Sequence, residues 1–185
     1  MTASDTQVIE AAAREFASAT AAAFKLPQGW HAPTVVAASA RMAGTYLFRS
    51  FGLKLPGVIP GQAVLSAAAS QYVPALLQYT ATVLQGLGIQ IASAPPITPA
   101  AVNAQPARDF LDTQRVLEPL FAPIQAKFGL TTLQAANAAA AATAVLIFQF
   151  LKHLDPNVAF GIAAFGITEG SKTAPDPVVL TPGAA

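Results

Sequence analysis

The sequence predicts an all-α fold: a single-domain bundle of six to eight helices around one buried central helix at about residues 131–154. Three observations lead there. From Ala138 to Phe148 the only polar side chain is Thr143, and a helix that is apolar on every side must be enclosed by other helices or by lipid. Apolar residues recur at helical spacing through most of the chain, while no stretch offers several alternating β-branched strands. Charged residues are only 10% of this alanine-rich chain, against roughly 25% in typical domains, so something must cover its apolar surface.

The 185 residues fit one domain, placed at 1–169, that buries about 70% of its unfolded surface and needs neither disulfide nor metal. Residues 170–185, with prolines at 175, 177 and 182, read as a mobile tail.

Taken in order, the first helix runs from Asp5 to Phe24, with Ile9, Ala12, Ala13, Phe16 and Ala23 on one face and Ser4 and Gln7 spaced as a capping box. Leu26-Pro-Gln-Gly-Trp30 breaks it, leaving Trp30 as a plug against the core. Pro33 then opens a second helix that stops at Gly52. Its apolar residues take most of the circumference and leave a narrow polar stripe of Thr34, Arg41, Thr45 and Arg49. Leu53 to Gly61 is a loop. A helical pattern resumes from Gln62 to Leu87, with Tyr72, Leu76, Tyr79 and Val83 as its core face and Pro74 expected to kink or split it.

Ile89 to Gln105 has the composition of an extended connector with one helical turn after Thr98. The next helix is expected from Pro106 to Phe128, with Phe110, Leu117, Leu120, Phe121, Ile124 and Phe128 inward. Arg108, Asp109, Asp112, Arg115 and Glu118 face outward, and Pro119 and Pro123 bend or split the helix. Thr131 and Gln134 form a capping box for the central helix, and Gly129 suits the left-handed cap of the helix before it. Asp155-Pro156 caps a last short helix through Phe160, Ile162, Phe165 and Ile167.

Several function classes fall away. The formal charge of +1 with scattered basic residues gives no electrostatic footprint for nucleic acid. The chain has no cysteine, no Glu-x-x-His pair, no Gly-x-Ser-x-Gly, no phosphate loop and no Rossmann glycine pattern, so no metal, cofactor or catalytic residue is expected. The apolar run Ala135 to Leu151 falls short of the about 20 residues a membrane span needs and lacks a flanking Lys/Arg cluster. The start, Met1 to Asp5, has no basic segment leading into an apolar run, so the cytoplasm is the expected compartment.

One constellation could bind a ligand: His31, Arg41, Thr45, Tyr46 and Arg49. Arg41 and Arg49 are separated by about 80° of rotation and roughly 12 Å of rise. An arginine on a mostly apolar helix must snorkel to water, find a carboxylate or bind an anion, and acids are scarce here. Three readings of function follow. The first is a soluble, non-catalytic helical module that covers its apolar surface by forming a homodimer. The second is a binding protein or enzyme for an apolar, anionic small molecule with its polar end at Arg41 and Arg49. In the bland version of that stripe, it is merely the strip that reaches solvent. The third is a membrane-associated protein.

Overall fold

A computed structural model describes residues 3–92 and 106–178, with the side chains of residues 3 and 4 left out; the expected helical turn after Thr98 and the Ser4 cap lie outside what is described. Among the described residues the protein is all-helical, with six helices and one tiny two-stranded sheet. The helices are α1 (Ala3–Ala23), α2 (Ala32–Ser50), α3 (Ala67–Gly86), α4 (Phe110–Lys127), α5 (Thr132–Gln149) and α6 (Pro156–Lys172). Strands β1 (Lys25–Leu26) and β2 (Gly29–Trp30) pair antiparallel between α1 and α2.

The caps read from the sequence are in place. Both halves of the Thr131–Gln134 box form, Asp155 accepts from the backbone N–H of Asn157 and Val158, and Gly52 and Gly129 adopt positive φ. Two further caps decide boundaries. Ser66 accepts from Ala69 N and starts α3 late, and Asp109 accepts from Asp112 N and starts α4 at Phe110 instead of Pro106. The central helix ends at Gln149, so Lys152 and His153 sit in the turn beyond it.

The three interior prolines split neither α3 nor α4. Pro74, Pro119 and Pro123 all lie exposed on the outer face, where the carbonyl each one deprives of a partner can be hydrated. The core face of α3 is Ala69, Val73, Leu76, Thr80 and Leu84; Tyr72, expected inward, is exposed. Leu120, Phe148 and Phe165 are likewise exposed, against the inward pattern of their helices.

Two helices share the centre. α5 packs against α1, α2 and α3, and α2 packs against α5, α6 and α4. Every residue of α2 from Ala32 to Phe48 is buried, so Thr34, Arg41 and Thr45 of the polar stripe do not form a solvent strip, and Arg49 beyond them is only partly exposed. Among the described residues α5 alone is long and apolar enough to cross a membrane by length and composition, and 61% of it is buried within the protein. The one polar residue among its buried ones, Thr143, bonds to Ser39 on α2 at 2.9 Å and to Ala139 O at 2.9 Å, so the burial leaves no orphaned hydroxyl.

α2 and α6 meet backbone to backbone. A Cβ on Gly166 would lie 2.9 Å from Ala40 Cβ and 3.1 Å from Ala37 O; one on Gly170 would collide with Arg41 O and lie 3.0 Å from Thr45 N. A Cβ on Gly44 would strike Ile167 O and lie 2.8 Å from Ser171 N. Positions rise together along both helices, so the two run parallel. The sequence signal for this contact was Gly166-x-x-x-Gly170, the small-residue spacing that lets helices approach closely.

The expected tail is corrected for residues 170–178. α6 continues to Lys172, and the chain then lies beside the α2–α3 connector: Gly61 N donates to Ala174 O at 2.8 Å and Ala174 N to Gln62 O at 2.9 Å. Ala174 is fully buried, and Asp176 N donates to Gln114 Oε1 at 3.0 Å. Apolar burial and main-chain pairing outweigh the proline content that suggested mobility.

Candidate functional site

The five residues singled out from the sequence all belong to α2 or its cap, and tertiary packing sends them to different neighbours. Arg41 is 6% exposed. Its Nε donates to Glu169 Oε2 at 2.6 Å on α6, and its Nη1 donates to Arg108 O at 2.6 Å, Asp109 O at 3.2 Å and Thr113 Oγ1 at 3.2 Å. The guanidinium therefore clamps α2 to α6 and to the start of α4. Four acceptors around one cation satisfy it as an internal group.

Two turns along, Arg49 pairs with Glu118 through both terminal nitrogens, and Nη2 also donates to Pro177 O at 3.1 Å. Glu118 accepts a further bond from Gln114 Nε2 at 2.9 Å, and Gln114 in turn holds Asp176 N. Glu118, expected outward, is turned inward by this pairing. The result is a buried polar seam between α2 and α4, closed over by residues 174–178. Burial lowers the Arg49 pKa from its ordinary value to about 10, opposed by Tyr46 and Asp176, so the group stays cationic at neutral pH. Burial pushes the Tyr46 hydroxyl well above the ordinary tyrosine value, and Arg49 pulls it part of the way back.

Thr45 is fully buried on the same face, and its Oγ1 and the Arg49 Nε are the buried side-chain atoms without a hydrogen-bond partner among the described residues. Tyr46 stacks instead with Phe16 and Phe121 in the α1–α4 core, with centroids 6.2 and 6.5 Å away. The structure thus ties Arg49 to Glu118 and Arg41 to Glu169, leaves the Thr45 hydroxyl without a partner among the described residues, and assigns the Tyr46 ring to the core.

His31 stands apart at the N-cap of α2. Its Nδ1 lies 2.7 Å from Thr34 Oγ1, which also accepts from Ala107 N at 2.9 Å. Both residues border a shallow cleft of about 310 Å³ whose other walls include Phe24, Leu26, Arg108 and Asp112. The Arg108 guanidinium lies 5.9 Å from the Phe24 ring centroid. On the outer face of α4 Asp112 and Arg115 pair at 3.5 Å, as their spacing suggested.

Among the described residues no group of three or more His, Asp or Glu side chains is placed to hold a metal. Compared with protein-family models, curated proteins and solved structures, the chain matches none.

Proposed function

We propose that the protein is a soluble, non-catalytic helical module that works as a homodimer in the cytoplasm, joined through the outer face of α3. One observation carries this reading. From Leu55 to Ala107 the chain has no Asp, Glu, Lys, Arg or His, and only five of the 20 residues of α3 are buried. A helix with a wide uncharged face, flanked by exposed Leu65 and Ile59 and carrying exposed Tyr72, has the charge depletion found at the centre of protein interfaces. A two-fold contact there brings no like charges together.

The alternative, an anionic ligand held by Arg41 and Arg49, is disfavoured because Glu169 and Glu118 already neutralise both cations. Sedimentation velocity over a wide concentration range tests the proposal. The wild type should be a dimer, and Tyr72→Glu and Leu65→Glu should be folded monomers. A wild-type monomer at tens of micromolar would refute it. A melting-temperature rise with small carboxylates or phosphates that is lost in Arg49→Lys would favour the ligand reading instead.

A further inference from the structure

The hairpin and the end of α5 are far apart in sequence, yet Trp30 and Phe150 bring them together, with ring centroids 6.3 Å apart. In the two segments that this contact joins, Leu26, Trp30, Phe148 and Leu151 are 41%, 47%, 45% and 38% exposed, which is more large apolar surface than a hydrated loop cluster needs. In the segments 24–30 and 148–154 the ionisable side chains are Lys25, Lys152 and His153, all basic and all exposed. None has an ion pair among the described residues. The nearby acids are engaged: Asp155 caps α6, and Asp112 pairs with Arg115.

The tryptophan is set up for a half-apolar environment. Its indole N–H donates to Ala21 O at 2.7 Å, so covering the ring with hydrocarbon strands no donor. Lys25 Nζ sits 5.3 Å from the ring centroid, which places a cation at the rim of the apolar surface. The strand pairing of β1 and β2 holds these groups before any partner arrives, which limits the ordering cost of binding.

An apolar patch whose rim carries Lys25, Lys152 and His153, with the neighbouring carboxylates of Asp155 and Asp112 held in a helix cap and an ion pair, complements one kind of partner. A two-fold contact with a second copy would set the lysines against their own images, whereas an anionic bilayer offers phosphates to the lysines and an interfacial layer to the tryptophan. We propose that the Leu26–Trp30 hairpin and the Phe148–Leu151 end of α5 form a peripheral docking surface for an anionic phospholipid membrane. No helix crosses the bilayer; the hairpin and the α5 end enter the headgroup layer with the protein folded. This goes beyond the self-association reading and uses a different surface from α3.

The single tryptophan makes the test direct, because its emission reports on this patch alone. Wild-type protein is titrated with phosphatidylcholine–phosphatidylserine vesicles at about 2:1 and with phosphatidylcholine vesicles. The expected result is a blue shift and co-sedimentation with the serine-lipid vesicles, weakened by added salt and nearly absent with phosphatidylcholine. Lys25→Gln and Lys152→Gln, both at exposed positions, should each weaken binding about 5-fold. Leu26→Ser combined with Leu151→Ser should weaken it more than about 10-fold while keeping the reporter and the circular dichroism spectrum. No shift at low salt, equal binding to both vesicles, or binding indifferent to the lysine variants would overturn the proposal. So would a change of oligomeric state in the Leu26/Leu151 variant without vesicle binding by the wild type, which would make the patch a contact between copies.

Discussion

Adding one methyl group at Gly170 should be among the most damaging small changes this protein can suffer. The new Cβ would overlap the Arg41 carbonyl oxygen and lie 3.1 Å from the Arg41 carbonyl carbon and 3.0 Å from Thr45 N, all of them backbone atoms of a buried helix. No rotamer change can relieve that, so α6 must move away from α2, loosening the fits at Gly44 and Gly166 and pulling Glu169 from Arg41. Overpacking costs about 1 to 3 kcal/mol where side chains can adjust, and a backbone clash belongs at the top of that range. Replacing a helical glycine by alanine returns at most about 1 kcal/mol through helix propensity, leaving a net loss of about 2 kcal/mol. Gly161 supplies the control: it lies in the same helix, and a Cβ added there would have nothing within 4 Å. Gly161→Ala should therefore gain about 0.5 to 1 kcal/mol. In thermal unfolding followed by circular dichroism, Gly170→Ala should melt about 4 to 8 °C below wild type and Gly161→Ala slightly above it. Equal melting temperatures for the two variants would refute the close α2–α6 contact.

Glu169→Gln should destabilise by about 2 kcal/mol, because it leaves the 6% exposed Arg41 without its anion; the partial exposure of Glu169 keeps the figure below that of a fully buried pair, and unchanged urea unfolding would count against the clamp. The Arg41→Met, Glu169→Leu double variant should recover much of that loss. The Tyr46 pKa is raised above its ordinary 10.0 in the folded protein, so the folded state keeps a proton that the unfolded state releases. Its contribution is complete below pH 10 and falls away as the pH rises above that value. Alkaline unfolding should show this loss in the wild type and a flatter profile in Tyr46→Phe; superimposable profiles would contradict it. Ending the chain after Lys172 should cost about 2 kcal/mol, since it removes buried Ala174 and the bonds that Asp176 and Pro177 make to Gln114 and Arg49; a truncated chain of wild-type stability would return that segment to the status of a tail.

The sequence by itself determined the all-helical class, the end caps at Thr131 and Asp155, and the glycine stops at positions 52 and 129. Each follows from periodicity or from a bond within a few residues, and such local physics is written in neighbouring letters. It also showed that Arg41 and Arg49 needed partners. Which partners they found was decided only in three dimensions, because Glu169 and Glu118 lie 128 and 69 residues away and nothing in the local pattern links them. The same holds for the sharing of the centre between α2 and α5. An apolar helix announces that it will be buried, but it does not say against what, and it was the glycines of α6, small enough for backbones to touch, that let α2 be buried from Ala32 to Phe48 and brought Arg41 within reach of Glu169.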